Sequence, residues 1–344
     1  MNRREFLQNT GSAVAASSAL GLFANKIRCQ QTDAHLRIQP LVRTGEGAMQ
    51  IPFSFVDVFA EEPLTGNPLA IIPHAETLED ATMQRIAGEL NQAETTFILP
   101  ARAKSADWRL RSFTASGHEI FGAGHNSLGA WWWLAESGEL KLSDGRNHFT
   151  QEIGSSLLPV EVWCEGHKLV SVVLTQSPPE FGQTCEDVGR LAEALRLEKE
   201  ELSESLPAQV VSTGAGHLLV PVRSRAAVVR ARPDAQRLAT ALKAAGGEGC
   251  YVYCLEPVLP SSVAHARFFN PTVGIVEDSA TGTAAGPLAC QLVKHGIVKD
   301  GATMVIEQGY EMKRPSLLRV TVHGKVVQLA GRGIKVIEGT LRIE

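Results

Sequence analysis

The 344 residues are 44% hydrophobic and 20% charged, with a formal net charge of −4, an ordinary globular composition long enough for about two domains rather than one small core. Lys and Arg form no run beyond the N-terminus, so the basic face that nucleic acid requires is missing and nucleic acid is excluded as a partner. After the first thirty residues no apolar stretch approaches the ~20 residues that carry a helix across a bilayer, so no membrane partner is expected once the N-terminal segment is removed.

That segment, MNRREFLQNTGSAVAASSALGLFANK, places Arg3-Arg4 before Phe6-Leu7 and a mild Ala/Ser-rich apolar stretch. It reads as a twin-arginine export signal over residues 1–24, with a periplasmic destination; a basic N-terminus on a cytoplasmic protein is the alternative. A chain exported after folding needs no disulfides from its six cysteines. Cys250 and Cys254 share one face of CYVYCLE and read as small buried apolar residues. Residues 25–50 are polar and aperiodic, a linker, and the folded body is expected to begin near Ile51.

PFSFVDVF and NPLAIIP read as strands joined through turn chemistry at Thr65-Gly66-Asn67-Pro68. Met83, Ile86, Ala87 and Leu90 recur at helical spacing, which predicts an amphipathic helix running into the strand ETTFILP. The strand DWRLRSF leads to a Gly-rich loop and then NSLGAWWWLAE, a helix apolar nearly all round and therefore buried. In the second half KLVSVVLT, AQVVST, HLLVPV and VAHARFF read as strands, EDVGRLAEALRL and DAQRLATALKAA as outer helices, and GTAAGPLACQLVKHG as a helix that Gly296 stops. The tail reads as a hairpin-rich sheet ending in a short strand.

One internal echo stands out. Phe113 is followed by Glu119, Gly124 and a buried helix; Phe269 is followed by Glu277, Gly282 and another, with the same Glu-to-Gly spacing. Two related lobes, each aiming a glycine-led helix N-terminus, would clamp an anion, most simply a carboxylate. His125 sits beside the first glycine, Thr283 beside the second, and Asp278 four residues before Gly282. These could assemble an imidazole, a hydroxyl and a carboxylate, or Asp278 and Thr283 could simply cap the helix. Glu94, between a helix end and an apolar strand, is either a desolvated base or a surface glutamate. GAGHNSLG places its third glycine too late for a dinucleotide fingerprint. His118 and His125 lack a third ligand for a metal.

Taken together, VDVFAEEPLTGNPLAII, LNQAETTFILP, RSFTASGHEIFGAGHNSLGA and RFFNPTVGIVEDSATGTAAGPLA resemble, in order and content, the signature blocks of the phenazine-biosynthesis (PhzF/YddE-like) isomerase family. The resemblance covers roughly residues 51 to 340. It implies the diaminopimelate-epimerase-like α/β fold: two pseudo-symmetric lobes, each a mixed sheet wrapped around a central helix, with the active site between them. The expected division is residues 51–160 and 161–330, with 331–344 a strand crossing back to the first lobe. The resemblance implies catalytic Glu94, His125, Asp278 and Thr283, with Gly124, Asn126 and Gly282 binding substrate. It implies a homodimer and acid/base isomerisation of a small carboxylate without metal, nucleotide or pyridoxal phosphate. Thr283 stands where serine is usual, Ser279 where proline is, and Asn126 where a proline or small residue follows the histidine, changes that reshape the pocket. Two rivals remain: an amino-acid epimerase, which would place a cysteine on each helix-leading loop where this chain has none, and a periplasmic binding protein for small carboxylates.

Overall fold

The computed structural model describes residues 42–43, 49–166 and 168–343; the expected export signal and nearly all of the linker lie outside the described residues. The first lobe runs β1 (Val42–Arg43), β2 (Met49–Val58), β3 (Asn67–Ile72), α1 (Asp80–Leu90), β4 (Thr95–Pro100), β5 (Trp108–Phe113), β6 (Glu119–Ile120), α2 (His125–Glu136), β7 (Gly145–Ile153), β8 (Ser156–Glu165) and β9 (Lys168–Gln176). The second runs β10 (Glu180–Thr184), α3 (Val188–Leu195), β11 (Gln209–Ser212), β12 (Gly216–Pro221), α4 (Arg225–Arg230), α5 (Ala235–Ala245), β13 (Gly249–Cys254), β14 (Ala264–Asn270), β15 (Ile275–Asp278), α6 (Gly282–Lys294), β16 (Thr303–Gln308), β17 (Ser316–His323) and β18 (Val326–Gly331). A final strand, β19 (Gly333–Ile343), pairs antiparallel with β2 from Gly333↔Val58 to Ile343↔Met49.

The lobes repeat strand for strand. In the first, β2–β3 is antiparallel, β3–β4 parallel, β4–β5 and β5–β6 antiparallel, and β5–β7 parallel. In the second, β11–β12 is antiparallel, β12–β13 parallel, β13–β14 and β14–β15 antiparallel, and β14–β16 parallel. The two sheets join where β9 pairs antiparallel with β18. Each wraps a helix buried on every side: α2 carries Trp131, Trp132 and Trp133, all buried, and α6 carries Leu288, Ala289, Cys290 and Leu292. Fully burying such side chains supplies about 1.5–3 kcal/mol each, which is why these helices centre the lobes. The Trp131 and Trp133 indole N–H groups are not left bare, donating to Gln151 Oε1 and Ser54 Oγ.

Several boundaries differ from the sequence expectation. β8 runs unbroken through residue 160 and is hydrogen-bonded to both β7 and β9, so a lobe boundary at 160/161 would cut a strand. The repeat places the change of lobe between β9 and β10. β2 begins at Met49, inside the expected linker, and β1 pairs with it. The last strand is eleven residues, not short, because it spans the whole of β2. Asn67 and Pro68 belong to β3 rather than to a turn, since Gly66 at φ +67° already completes the reversal.

Candidate active site

The two buried helices begin against each other. A β-carbon placed on Gly124 would lie 3.7 Å from Thr283 Cγ2, so the N-termini of α2 and α6 meet across the lobe junction. Both bring first-turn N–H groups without intrahelical acceptors and partial positive charge to one place. Gly282 is there for packing, because a β-carbon would come 2.4 Å from Leu329 Cδ2. The Gly124 N–H donates to Asn126 Oδ1 (2.7 Å), and Asn126 Nδ2 donates to Gly122 O (2.9 Å) and Ser112 Oγ (3.2 Å). The buried Asn126 amide therefore braces the loop that leads into α2.

Glu94 lies between α1 and β4, in the residue just before the strand. Asn91, in the left-handed conformation, ends α1 and turns the chain inward. The Glu94 Oε2 is enclosed and has no hydrogen-bond partner among the described residues. Burial, aided by the negative charge of Asp278, pushes the Glu94 carboxyl up to about 8. Asp278 ends β15, and Oδ1 accepts from Asn67 Nδ2 (2.8 Å) while Oδ2 accepts from the Thr281 hydroxyl. Burial raises Asp278 to about 6, held back by the Thr281 and Asn67 donors. Of the two carboxyls, Asp278 is the one the protein solvates with donors, and its charge adds to the burial that raises Glu94.

His125 opens α2. It is buried, its Nε2 has no partner among the described residues, and burial lowers its pKa to about 4, leaving a neutral imidazole at the helix end. Thr283 Oγ1 lies 3.1 Å from His217 Nε2. Neither Asp278 nor Thr283 caps α6: its N-cap is Thr281, whose side chain is given to Asp278. His118 sits apart on the exposed β5–β6 turn, its Nδ1 3.0 Å from Ser116 Oγ.

Sequence reasoning missed Asn67, His217, Thr281 and Gln308. Gln308 Nε2 donates to the Asp278 carbonyl (2.7 Å), and its Oε1 accepts from Tyr251 (3.0 Å) and from the Thr281 N–H (3.1 Å). The available signals were a histidine opening the apolar strand HLLVPV and a Glu-Gln pair closing MVIEQ. A groove of about 1060 Å³ between α3 and α5, lined in part by Cys185, Arg190, Gln236 and Thr240, shares none of these residues.

The internal echo is a structural one. Arg111 forms a two-pronged ion pair with Glu119 and stacks on Phe113; Arg267 does the same with Glu277 and Phe269. Strand register then fixes which positions correspond. Thr95 faces Phe113 as Cys250 faces Phe269, so Glu94 matches Gly249. Ala70 faces Thr95 as Leu218 faces Cys250, so Leu69 matches His217. Ile120 matches Asp278 by the pairs Ser112↔Ile120 and Phe268↔Asp278. The scaffold is duplicated, while the polar groups are not.

The phenazine biosynthesis-like protein model (PhzC-PhzF) matches residues 56–339. The chain belongs to that family. Among its PhzF-like relatives, the trans-2,3-dihydro-3-hydroxyanthranilate isomerase of Pseudomonas chlororaphis is 31% identical over 298 residues, 84% of this chain and 98% of the relative. An uncharacterized isomerase of Clostridium acetobutylicum is 34% identical over 242 residues, 70% of this chain and 78% of the relative. The crystal structure of the PhzF-family protein of Bacillus anthracis superposes with a TM-score of 0.78 at 28% identity, covering 86% of this chain and 99% of that one. This PhzF-family chain is an isomerase with the diaminopimelate-epimerase-like fold.

Proposed function

We propose that this isomerase moves a proton between carbons of a small cyclic carboxylate without a cofactor, with Glu94 as the group that removes and returns it. The observation that carries the reading is the Glu94 carboxyl: enclosed and without a partner at Oε2 among the described residues, and raised to about 8 by burial and by the charge of Asp278, which stands four residues before the α6 N-terminus. A carboxyl tuned toward the operating pH is a more effective base than an ordinary one. Negative charge spreading into the substrate carboxylate during proton removal is met by the first-turn N–H groups of α2 and α6. Neutral His125 can donate to or accept from a polar substituent, and Asp278, anionic above about pH 6, can orient an amine or hydroxyl.

The test is proton exchange followed by NMR in D₂O with trans-2,3-dihydro-3-hydroxyanthranilate, the compound in the name of the Pseudomonas relative, and a panel of cyclic amino and hydroxy acids. Deuterium appearing at carbon, and lost in Glu94→Gln, supports the proposal. Binding without exchange across the panel supports a carboxylate-binding protein instead, and inversion at the carbon of origin supports an epimerase. Export by the twin-arginine route, read from Arg3-Arg4, is proposed with it; periplasmic fractionation of wild type and an Arg3→Lys, Arg4→Lys double variant tests it. Sedimentation tests the proposed homodimer.

A further inference from the structure

The pairing of Thr283 with His217 has no counterpart in the first lobe, where register puts Leu69 at the matching position. The His217 ring is 4% exposed on β12. It packs edge-on against Phe268, centroids 5.0 Å apart, and Phe268 is the strand partner of Asp278. Gly249 makes room for it: a β-carbon there would stand 3.2 Å from His217 Nδ1 and 2.4 Å from Phe268 Cζ. Gly249 is also the position matching Glu94, so the repeat that gives one lobe its carboxylate gives the other a space filled by imidazole.

The two nitrogens of His217 have unequal surroundings. Nε2 faces Thr283 Oγ1 at 3.1 Å, while Nδ1 is enclosed with no partner among the described residues. Burial lowers the ring pKa to about 4, so the imidazole is neutral and carries one proton. A buried N–H without an acceptor is the rarer and costlier defect; a lone pair without a donor is tolerated better. The proton therefore belongs on Nε2, where it is donated to Thr283 Oγ1. With its lone pair engaged, the Thr283 hydroxyl keeps its own hydrogen free, and donation into it strengthens that hydrogen as a donor.

We infer that His217 is a positioning residue that fixes the Thr283 hydroxyl as a hydrogen-bond donor to an anionic oxygen of the substrate. The substrate part rests on the isomerase reading above; the tautomer does not. The prop also suits threonine, because the hydroxyl is oriented by its neighbour rather than by free rotation. Oγ1 of Thr283 faces His217, and its methyl Cγ2 lies on the Gly124 side of the junction.

The tautomer is tested by long-range proton–nitrogen correlation on the full chain with ¹⁵N-labelled histidine, the His217 signals being those lost in His217→Leu. The expected result at neutral pH is a neutral ring protonated on Nε2; a proton on Nδ1, or a cationic ring, overturns the inference. No substrate is needed, so this outcome is independent of the isomerase reading. The functional arm uses exchange into trans-2,3-dihydro-3-hydroxyanthranilate. His217→Gln, whose amide N–H can reach the Nε2 position, should keep most of the wild-type kcat/KM. His217→Leu, which copies Leu69, should lose roughly tenfold or more, chiefly in KM, without a lower Tm. Equal losses in the two variants, or a loss in His217→Leu that tracks a fall in Tm, overturn the donor role.

Discussion

Asn67, the first residue of β3 in one lobe, donates through Nδ2 both to the Asp278 carboxylate (2.8 Å) and to the Ala280 carbonyl (2.9 Å) of the other. One buried amide thus joins the lobes and holds Asp278 in its charged form. Asn67→Ala removes both bonds from buried acceptors and is expected to cost ~1–3 kcal/mol in denaturant unfolding. Because donors favour the carboxylate, the same change should move Asp278 further above about 6. A variant of unchanged stability, or one whose Asp278 titrates lower by carbonyl NMR, contradicts this account.

Glu94→Gln should stabilise the protein in a pH-dependent way. The carboxyl is raised by burial from 4.5 to about 8 in the folded chain, so below 4.5 it is protonated in both states and costs nothing. As pH rises toward about 8 the unfolded chain ionises freely while the folded one resists, and stability is lost across that window. At about 1.4 kcal/mol per pKa unit the full effect is a few kcal/mol. Thermal unfolding should show the variant's advantage growing from acid to mildly alkaline pH; a constant offset between the two proteins would speak against a desolvated Glu94.

Much of this site was legible because its markers are local. Periodicity and glycine placement reveal the helix and strand ends beside which Glu94, His125, Asp278 and Thr283 sit, while their grouping into one site came from the family resemblance. The Phe-Glu-Gly echo pointed to two related lobes, and the Arg111–Glu119 and Arg267–Glu277 pairs that stand behind it show only in the structure. What escaped depends on register. Asn67 lies 211 residues from Asp278, and TGNP alone reads as a turn. His217 in HLLVPV looks like any strand-opening polar residue until β12–β13 pairing sets it opposite Gly249. Polar β7, GRNHFTQEI, alternates weakly because much of it is only half-buried, so the strands around residue 160 and the lobe boundary were misplaced.

Arg314 clamps the loop that leads into Asn67. Its Nη2 donates to Asp57 Oδ1 (2.6 Å) and Thr65 O (2.7 Å), and its Nε donates to Gly66 O (2.8 Å). Asp57 is buried, and burial raises its pKa against the pull of Arg314. Arg314→Met should therefore destabilise by about 3 kcal/mol, the low end for a broken buried pair because the guanidinium is 24% exposed. Asp57→Asn added to it should recover part of the loss, since the stranded charge is gone. Simple additivity of the two changes in urea unfolding would show that the pair does not act as a unit.

The pH dependence of proton exchange should report Glu94 directly. If the reaction begins with Glu94 as a carboxylate, kcat/KM rises with pH and levels off above about 8, where Glu94 is ionised. A fall above that pH would mean that Glu94 starts as the acid. Asp278 supplies the control, because its negative charge is the second cause of the Glu94 shift, after burial. Asp278→Asn keeps the size of the side chain and removes the charge, so the midpoint of the rise should move below about 8. It should remain above the ordinary value of 4.5, because burial persists. The variant's exchange rate at low pH, relative to its own plateau, should accordingly exceed that of the wild type. A midpoint that stays fixed in Asp278→Asn but vanishes in Glu94→Gln would leave Glu94 as the base and show that Asp278 does not couple to it. An upward move would contradict the repulsion between the two carboxyls.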